Sequence, residues 1–460
     1  MSDRLSAHGP LDTVLGGGLP VNGISMITGL PGTGKTIIAQ QYVFQNATPE
    51  RPAVYFSTVS EPTEKIVRFG QRLDFFDRAA IGRSVFYEDL GETVSSDGLA
   101  GVTRKVAAVL SERHPGLVVI DSFKALHAFA DSVGEFRRFL HELTGRLTAF
   151  PASSLWIGEY QEGEAGSLPE FAVADAIVGL TAEMTGQREV RFLTIRKLRG
   201  SGYLSGRHAY RLDSHGVHLF PRLADTGITA SYALGSTRVP SGIPALDDLL
   251  SPGYLPASST LIAGPAGVGK TVMGLHFIFY GARRGEPGVI ASLQENSTQL
   301  QRVADGFGWS VDEPEVEMMY RSPVDIYIDE WVYDLMEMVE RTGARRVLVD
   351  SLADLKVAAP DETRFREFVY SVTQRFSKLG VSTLMTFEIP ELFRTERLAE
   401  SAVSHMSDNV VLLSYVEDHH AIGRSMSVIK SRGSDHLPGI RQFVIGRGGI
   451  VLADGADTPA

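Results

Sequence analysis

GLPGTGKT, from Gly29 to Thr36, and GPAGVGKT, from Gly264 to Thr271, are two copies of the pattern G-x-x-x-x-G-K-T in one chain. In this pattern the glycines turn backbone N–H groups toward a polyphosphate, the lysine neutralises its β/γ oxygens, and the threonine hydroxyl can ligate Mg²⁺. Each copy follows an apolar run and precedes a helix-forming stretch, which is the context that the pattern requires. Because a chance glycine-rich turn rarely recurs in matching contexts, the two copies predict two nucleotide sites.

The rest of the sequence repeats at nearly the same spacing. A period of about 230 residues indicates a duplicated domain, since solenoid repeats have periods of roughly 20 to 50 residues. The matching positions are the P-loop lysines Lys35 and Lys270, 235 residues apart; the strand-ending aspartates Asp121 and Asp350, 229 apart; and the first residues of KLRG and KSRG, Lys197 and Lys430, 233 apart.

Short apolar runs such as AVYFSTV and GLVVID alternate with helical stretches such as EFRRFLHELTGRL. This alternation predicts an α/β protein with two tandem P-loop NTPase domains, each a mostly parallel sheet with helices on both faces. We expect the first domain over residues 1–221, a linker rich in Ser, Thr, Gly and Ala over 222–239, and the second domain over 240–460. The polar stretch from Glu88 to Gly98 is expected to form a surface loop.

Composition narrows the class of protein. A chain of 460 residues suits two domains. The sequence contains no run of eighteen apolar residues, so we expect no membrane span. The formal net charge of −11 disfavours nonspecific binding to nucleic acid, which needs a basic surface. The absence of cysteine excludes disulfides and thiolate metal sites. Since MSDRLSAHGP also lacks the apolar segment of a signal peptide, we expect a cytoplasmic protein.

Acidic residues follow several of the predicted strands. Asp121 and Asp350 end apolar strands, where a carboxylate holds the water shell of Mg²⁺ in P-loop ATPases, although an aspartate there can also be a helix N-cap. Glu61 and Glu295 follow the strand after each P-loop helix. They are candidates for the residue that activates the attacking water, or acidic residues that complement a helix dipole. A third pair, Glu159 and Glu388, follows the strand after each of these aspartates. These two residues are either auxiliary bases or salt-bridge partners.

Basic residues recur in pairs late in each half, each pair followed by glycine. Lys197 with Arg199, and Lys430 with Arg432, alternate along a predicted strand, so both side chains of a pair share one face. Because this strand is far along the chain from the P-loop, we expect these side chains to stabilise the γ-phosphate in a neighbouring subunit, as arginine fingers do. Solvated surface charge is the alternative.

With these residues assembled, the chain resembles the KaiC family of double-domain RecA-like ATPases over nearly its whole length. The resemblance rests on GLPGTGKT, VVIDS and TIRKLRGS in the first half, and on GPAGVGKT, VLVDS, SDNVVLLSYVE and VIKSRGS in the second. It implies tandem RecA-like domains in a two-tiered homohexamer, with ATP and Mg²⁺ between subunits in both tiers. Slow ATP hydrolysis in the first tier, with autokinase and autophosphatase activity in the second, is also implied.

The resemblance assigns roles to individual residues. Glu61, Glu295, Lys35 and Lys270 are the expected catalytic residues, and Thr36, Asp121, Thr271 and Asp350 the expected metal-site residues. The expected ATP contacts are Gly32, Thr33, Gly34, Lys35, Thr36, Ile37, Gly267, Val268, Gly269, Lys270, Thr271, Val272 and Phe307. The expected contacts to ATP of a neighbouring subunit are Lys197, Leu198, Arg199, Ser201, Arg424, Lys430, Ser431 and Arg432.

The chain also departs from the family pattern. Where the family has two glutamates after the second strand, this chain has Ser60-Glu61 and Gln294-Glu295, so each site keeps one carboxylate. The adjacent phosphoacceptors of the clock proteins fall on Ser404 and His405, which leaves one hydroxyl as a candidate phosphosite. The sequence therefore favours an oligomeric ATPase, with a nucleotide-gated ring scaffold and a DNA-dependent RecA-like motor as the alternatives. The protein partners are not evident from the sequence.

Overall fold

The computed structural model describes residues 4–161, 163–164, 167–185, 187–223, 237–324, 326–359, 361–389, 405–418 and 421–452. The chain divides into two compact units, Met1–Arg222 and Leu223–Ala460, here called the first and the second domain. Each domain contains one nine-stranded sheet. Over the described residues, no helix has the length and apolar character needed to cross a membrane.

The first domain alternates strands and helices from its P-loop strand onward. Its elements are β1 (Arg4–Leu5), α1 (Pro10–Val14), β2 (Leu19–Pro20), β3 (Ile24–Gly29), α2 (Lys35–Asn46), β4 (Ala53–Ser57), α3 (Thr63–Gly70), β5 (Val85–Asp89), α4 (Gly91–Arg113), β6 (Leu117–Asp121), α5 (Val133–Ala149), β7 (Ser153–Gly158), α6 (Pro169–Val173), β8 (Ala176–Thr185), β9 (Arg188–Leu198), β10 (His208–Asp213) and β11 (Gly216–Phe220), with 3₁₀ helices at Arg78–Ala80 and Phe123–Phe129.

The second domain repeats this order. Its elements are α7 (Pro244–Leu250), β12 (Ser259–Gly264), α8 (Lys270–Ala282), β13 (Gly288–Ser292), α9 (Ser297–Asp305), β14 (Val316–Tyr320), α10 (Ile328–Thr342), β15 (Arg346–Asp350), α11 (Leu352–Ala358), α12 (Glu362–Lys378), β16 (Ser382–Glu388), β17 (Asn409–Asp418), β18 (Ala421–Ser431), β19 (Ile440–Gly446) and β20 (Gly449–Leu452).

The two sheets have the same topology. The first has the order β11-β10-β9-β8-β3-β7-β6-β4-β5, and the second has the order β20-β19-β18-β17-β12-β16-β15-β13-β14. In the first sheet β8, β3, β7, β6, β4 and β5 run parallel, and β9, β10 and β11 extend it antiparallel. The fold is therefore the expected one: tandem RecA-like α/β domains, each with a mostly parallel sheet whose P-loop strand lies near its centre.

Alternating side chains of the parallel strands bury both faces of each sheet, as the binary pattern requires. Along β4, Val54 and Phe56 join an apolar cluster with α4 and α5, whereas Ala53 and Tyr55 join a second cluster with α1 and α2. The second domain has the same two layers, with α10 and α12 on one face and α7 and α8 on the other. Helices thus cover both faces, and the strand ends that carry polar residues are left at the edge of the sheet.

The segment from Glu88 to Gly98 is not a surface loop, and that expectation was wrong. Asp89 ends β5, which pairs in parallel with β4, and α4 begins at Gly91. Val94 is buried in the apolar cluster beneath the sheet, so one helical turn is held by packing despite its polar composition. The backbone leaves helical geometry only at Gly98, where φ is 62° and ψ is −162°.

Candidate nucleotide sites

The first P-loop connects β3 to α2, and its backbone requires glycine. Gly32 and Gly34 have φ values of 80° and 86°, a region that side chains disfavour. A Cβ atom on Gly34 would also lie 2.8 Å from a methyl carbon of Leu212. Gly267 and Gly269 have the same left-handed conformation in the second loop. These turns let the loop N–H groups face one point at the start of the following helix, as anion binding requires.

The P-loop lysines are buried at the carboxyl ends of the central strands. Lys35 Nζ donates a hydrogen bond of 2.8 Å to the carbonyl oxygen of Leu30. Burial lowers the pKa of Lys35, and the nearby carboxylates of Glu159 and Asp121 oppose that shift. The first site therefore concentrates one ammonium and two carboxylates around the P-loop.

Lys270 has equivalent surroundings in the second domain. Its Nζ donates to the carbonyl oxygens of Gly264, at 3.0 Å, and Pro265, at 2.8 Å. The Glu388 carboxylate lies 3.9 Å from the same nitrogen. Burial lowers the pKa of Lys270, while Glu388 and Asp350 raise it. The glutamate after the aspartate strand thus lies beside the P-loop lysine in the second site.

Each P-loop threonine contacts the aspartate expected at its metal site. Thr36 Oγ1 donates to Asp121 Oδ2 at 2.9 Å, and Thr271 Oγ1 donates to Asp350 Oδ2 at 2.6 Å. In both domains the peptide bond between the aspartate and the next serine is cis. A hydroxyl next to a carboxylate at the end of a P-loop is the donor set that holds Mg²⁺ and its water shell in P-loop enzymes.

The two aspartates differ in their other partners. The Tyr55 hydroxyl donates to Asp121 Oδ2 at 2.5 Å, whereas Thr386 donates to Asp350 Oδ1. Burial raises the pKa of Asp121, and the hydrogen bonds from Tyr55 and Thr36 oppose that rise. Comparison of the two halves could not find Tyr55, because the position 235 residues later is Ile290 and the hydroxyl therefore occurs in the first repeat only.

The two candidate bases, Glu61 and Glu295, differ in their exposure and in their partners. Glu61 forms an ion pair with Lys65 at 2.9 Å and is partly exposed. Among the described residues, Glu295 Oε2 is buried without a hydrogen-bond partner. Burial raises the pKa of Glu295, and the Asp350 charge raises it further. Glu295 is thus the carboxylate better prepared to accept a proton.

One tyrosine in each domain donates a hydrogen bond to a carbonyl oxygen of the P-loop. The Tyr210 hydroxyl donates to the carbonyl oxygen of Thr33 at 2.6 Å, and the Tyr415 hydroxyl donates to that of Ala266 at 3.0 Å. Tyr210 lies on β10 and Tyr415 on β17, which are not equivalent strands. Sequence comparison between the halves could not find this pair, because the residues do not align.

The basic residues of the first domain lie at the end of the sheet away from its P-loop. Lys197 pairs with Ile177 at the start of β8, whereas Leu193 is the residue of β9 level with Gly29. Because β9 has a bulge here, the distance is counted on β8: Ile177 and Leu180 are three residues apart, so Lys197 lies about 10 Å along the sheet from the level of Gly29. Lys197 Nζ donates to two carbonyl oxygens of α6. Because β9 ends at Leu198, Arg199 and Ser201 lie beyond the strand. The Arg199 guanidinium is 3.3 Å from the Asp175 carboxylate.

The second domain places its basic residues in the same way, with one exception. Lys430 Nζ donates to the carbonyl oxygen of Ser407 at 2.6 Å, and Ser431 and Arg432 follow it at the strand end. Arg424 instead lies opposite Tyr415, with its guanidinium 5.8 Å from that ring. Since Tyr415 contacts the P-loop, Arg424 belongs to the P-loop end of its own sheet.

The remaining expected site residues are more dispersed. Phe307 follows α9 and packs on Trp309, with ring centroids 5.1 Å apart. Val268 is fully buried in the apolar core, and Ile37 and Val272 are half-buried in the helices after the P-loops. Ser404 lies outside the described residues.

Among those described, no three His, Asp or Glu side chains cluster as a protein-only metal site. A P-loop site does not need such a cluster, because phosphate oxygens and water complete the coordination.

Together, the twin P-loops and their aspartates define a tandem P-loop ATPase of the RecA-like class. A family model described as "ATPase: KaiC" matches residues 9–224 and again residues 239–456. The chain therefore belongs to the KaiC ATPase family.

The full-length relatives are distant but cover nearly the whole chain. The chain is 26% identical over 459 residues to the circadian clock oscillator protein KaiC of Picosynechococcus sp., covering 96% of this chain and 88% of that protein. It is 27% identical over 460 residues to the protein of the same name from Parasynechococcus marenigrum, with the same shares covered. The KaiC protein of Rippkaea orientalis is 26% identical over 460 residues, with shares of 96% and 87%.

Proposed function

We propose that the protein binds and hydrolyses ATP in both domains and works as a ring of identical subunits. The observation that carries the proposal is the repeated contact between P-loop threonine and strand-ending aspartate, Thr36 with Asp121 and Thr271 with Asp350. Beside each pair lies a buried lysine able to neutralise β/γ-phosphate oxygens. One such arrangement supports a nucleotide site; two support a site in each domain.

Mg²⁺ fits the donor set of both sites. Each site offers a threonine hydroxyl as a ligand and an aspartate carboxylate as an acceptor for metal-bound water, and both are oxygen donors, which Mg²⁺ prefers. A bound Mg²⁺ would neutralise charge on the β- and γ-phosphates. Asp121 and Asp350 would orient its water shell, while Lys35 and Lys270 would hold the phosphate oxygens.

Hydrolysis needs a group that takes a proton from the attacking water. We assign this role to Glu61 and Glu295, and the raised pKa of Glu295 suits a base that must gain a proton during turnover. Ser60 and Gln294 contribute no second carboxylate, so we propose slow turnover. The protein can accordingly hold ATP for long periods between hydrolytic events, as a nucleotide-gated assembly would.

The strand-end lysines support the ring. Lys197 lies about 10 Å along the sheet from the level of its own P-loop, too far for its side chain to reach its own γ-phosphate. Contact with ATP therefore requires the site of another copy of the chain. We propose a homohexamer in which Lys197, Arg199, Lys430 and Arg432 reach the nucleotide of the adjacent subunit.

A narrower second function is phosphotransfer to Ser404. The observation that favours it is the hydrogen bond from Arg432 to the carbonyl oxygen of His405, the next residue in the chain, at 2.9 Å. A cation at His405 would favour a phosphate ester on a hydroxyl next to it in the chain. Mass spectrometry after incubation with ATP and Mg²⁺ tests this function directly. A phosphate on Ser404 that disappears in the Lys270→Ala protein supports it, and an unmodified serine refutes it.

Mass measurement under native conditions tests the main proposal. With ATP and Mg²⁺ we expect six copies of the chain carrying twelve nucleotides, and slow release of ADP. Nucleotide binding without release over many hours would instead identify a scaffold that does not hydrolyse ATP. A monomer that binds two nucleotides would refute the ring.

A further inference from the structure

A buried carboxylate in the first domain joins α6 to the segments that follow β6 and β7. The side chain of Glu170, on α6, is fully buried. Its Oε1 accepts hydrogen bonds from His127 Nε2 at 2.8 Å and from the Tyr160 hydroxyl at 2.9 Å. Its Oε2 is buried without a hydrogen-bond partner among the described residues. A carboxylate left half-satisfied in a protein interior costs free energy, so packing alone gives no reason for its presence.

The two donors to Glu170 come from the segments that leave the nucleotide site. His127 lies in the 3₁₀ helix that begins two residues after Asp121, and its ring stacks on Phe136 with centroids 3.7 Å apart. Tyr160 directly follows Glu159, whose charge acts on the P-loop lysine. Glu170 therefore ties α6 to the ends of both strands that border the metal site.

The two residues that follow Glu170 in α6 hold the basic strand. The carbonyl oxygens of Phe171 and Ala172 accept hydrogen bonds of 3.2 and 3.1 Å from Lys197 Nζ. Because α6 has only five residues, its position at Glu170 and its position at Lys197 cannot vary independently. The contacts form one continuous path from Asp121 and Glu159, through Glu170, to Lys197.

We propose that Glu170 is a positioning residue that fixes α6 and thereby sets where Lys197 is presented to the nucleotide of the neighbouring subunit. This inference rests on the proposed role of Lys197 in the ring. The path is a feature of the first domain, because the positions 229 residues after His127 and Tyr160 are Lys356 and Ile389. Changes at Glu170 should accordingly leave the second site unaffected.

A double-mutant cycle tests the proposal in the full-length chain. Lys270→Ala is present throughout so that only the first domain turns over, and ATP hydrolysis and ATP affinity are measured for Glu170→Gln, Lys197→Ala and their combination. Glutamine has nearly the shape of glutamate and keeps an acceptor oxygen, but it removes the charge. We expect a fall in turnover of about tenfold for Glu170→Gln, unchanged ATP affinity, and a double variant within about twofold of Lys197→Ala alone.

If the two fold-losses of turnover multiply in the double variant, Glu170 acts independently of Lys197 and the inference is overturned. Wild-type turnover in Glu170→Gln would overturn it as well. Wild-type turnover in Lys197→Ala would refute both this inference and the neighbouring-subunit role of Lys197. If Glu170→Gln does not fold, Tyr160→Phe removes one donor while leaving the carboxylate in place, and it should give the same non-additive loss at smaller size.

Mixed rings provide a readout that a merely structural role would not change. Chains with Lys35→Ala have no working first site but can still present Lys197, whereas chains with Lys197→Ala have the reverse defect. In a mixed ring, turnover should return at sites that combine the intact P-loop of a Lys197→Ala chain with Lys197 of an adjacent Lys35→Ala chain. Adding Glu170→Gln to the Lys35→Ala chains should lower that recovery about tenfold, and adding it to the Lys197→Ala chains should not change it. The opposite pattern would place the effect of Glu170 in its own site.

Discussion

Gln41 and His276 occupy the same position in the two P-loop helices and make the same contact. Gln41 Oε1 accepts a hydrogen bond from the N–H of Val217 at 3.4 Å, and His276 Nε2 accepts one from Ile450 at 2.8 Å. Each donor follows the glycine that begins the last strand of its sheet. A Cβ atom on the second of these glycines, Gly449, would lie 2.0 Å from the imidazole. One helix side chain thus anchors the final hairpin in both domains, with amide chemistry in the first and imidazole chemistry in the second.

This difference predicts acid sensitivity in the second domain. Burial lowers the pKa of His276 to about 4, against about 6.5 for a free histidine. The fold needs the neutral ring, so its contribution is complete above pH 6.5 and is lost as pH falls from 6.5 toward 4. From this residue we expect a loss of about 2 kcal/mol in the unfolding free energy of the second domain between pH 7 and pH 5. Urea unfolding at both pH values measures it.

The matched control exchanges the two side chains. His276→Gln, which copies the first domain, should remove this share of the pH dependence, and Gln41→His should introduce one in the first domain. An unchanged pH dependence in His276→Gln would contradict the assignment.

The two tyrosines on the P-loops should differ in importance. Tyr210 is buried and donates to the loop at 2.6 Å, whereas the hydroxyl contact of Tyr415 is exposed and longer. Loss of a hydrogen bond to a buried carbonyl costs about 1 to 3 kcal/mol, and water can replace an exposed one. Tyr210→Phe should therefore weaken ATP binding to the first site by about tenfold, as measured by calorimetry, and Tyr415→Phe should change the second site little. Equal effects would contradict this ranking.

The glutamates beside the aspartates should control hydrolysis unequally. Glu295 is half-buried, and one of its oxygens has no partner within the described part of the chain, whereas Glu61 is held by Lys65. With the other domain silenced, Glu295→Gln should lower turnover of the second site by about 10² to 10⁴, the range of general base catalysis, without loss of ATP binding. Gln294→Glu restores a second carboxylate and should raise turnover there. Full activity in Glu295→Gln would exclude it as the base.

The aspartates should govern the requirement for Mg²⁺. Asp350→Asn keeps the shape and a hydrogen-bonding oxygen but removes the charge that orients a metal-bound water shell. We expect the Mg²⁺ concentration for half-maximal ATP binding to the second site to rise at least about tenfold, while binding in EDTA is unchanged. Asp121→Asn provides the parallel measurement at the first site. A Mg²⁺ dependence identical to that of the wild type would contradict the metal role.

The backbone conformation of the loops could be predicted from sequence because it depends on local pattern. A glycine-rich turn between a strand and a helix specifies both the backbone and the lysine position, and the repeat identified Asp121 and Asp350 without any structure. The mostly parallel sheet with helices on both faces was likewise predicted, from the alternation of apolar runs and helical stretches. The sequence pattern failed at the start of α4, because the burial of Val94 outweighs the polar residues around it.

Contacts across the sheet could not be predicted. Tyr55 reaches Asp121 because β4 and β6 are adjacent, and Tyr210 reaches Thr33 from a strand 177 residues later in the chain. No periodicity in the sequence encodes either pairing. Glu170 is a similar case, since an isolated glutamate in PEFAV gives no sign that it is fully buried.

Steady-state ATP hydrolysis by the full-length chain, compared among Lys35→Ala, Lys270→Ala and the double variant, tests the two-site ATPase most directly. Removal of a buried ammonium from the phosphate site should abolish turnover in that domain. We expect each single variant to retain the activity of its intact domain and the double variant to show none above background. Undiminished turnover in the double variant would contradict the presence of ATPase sites at the two P-loops.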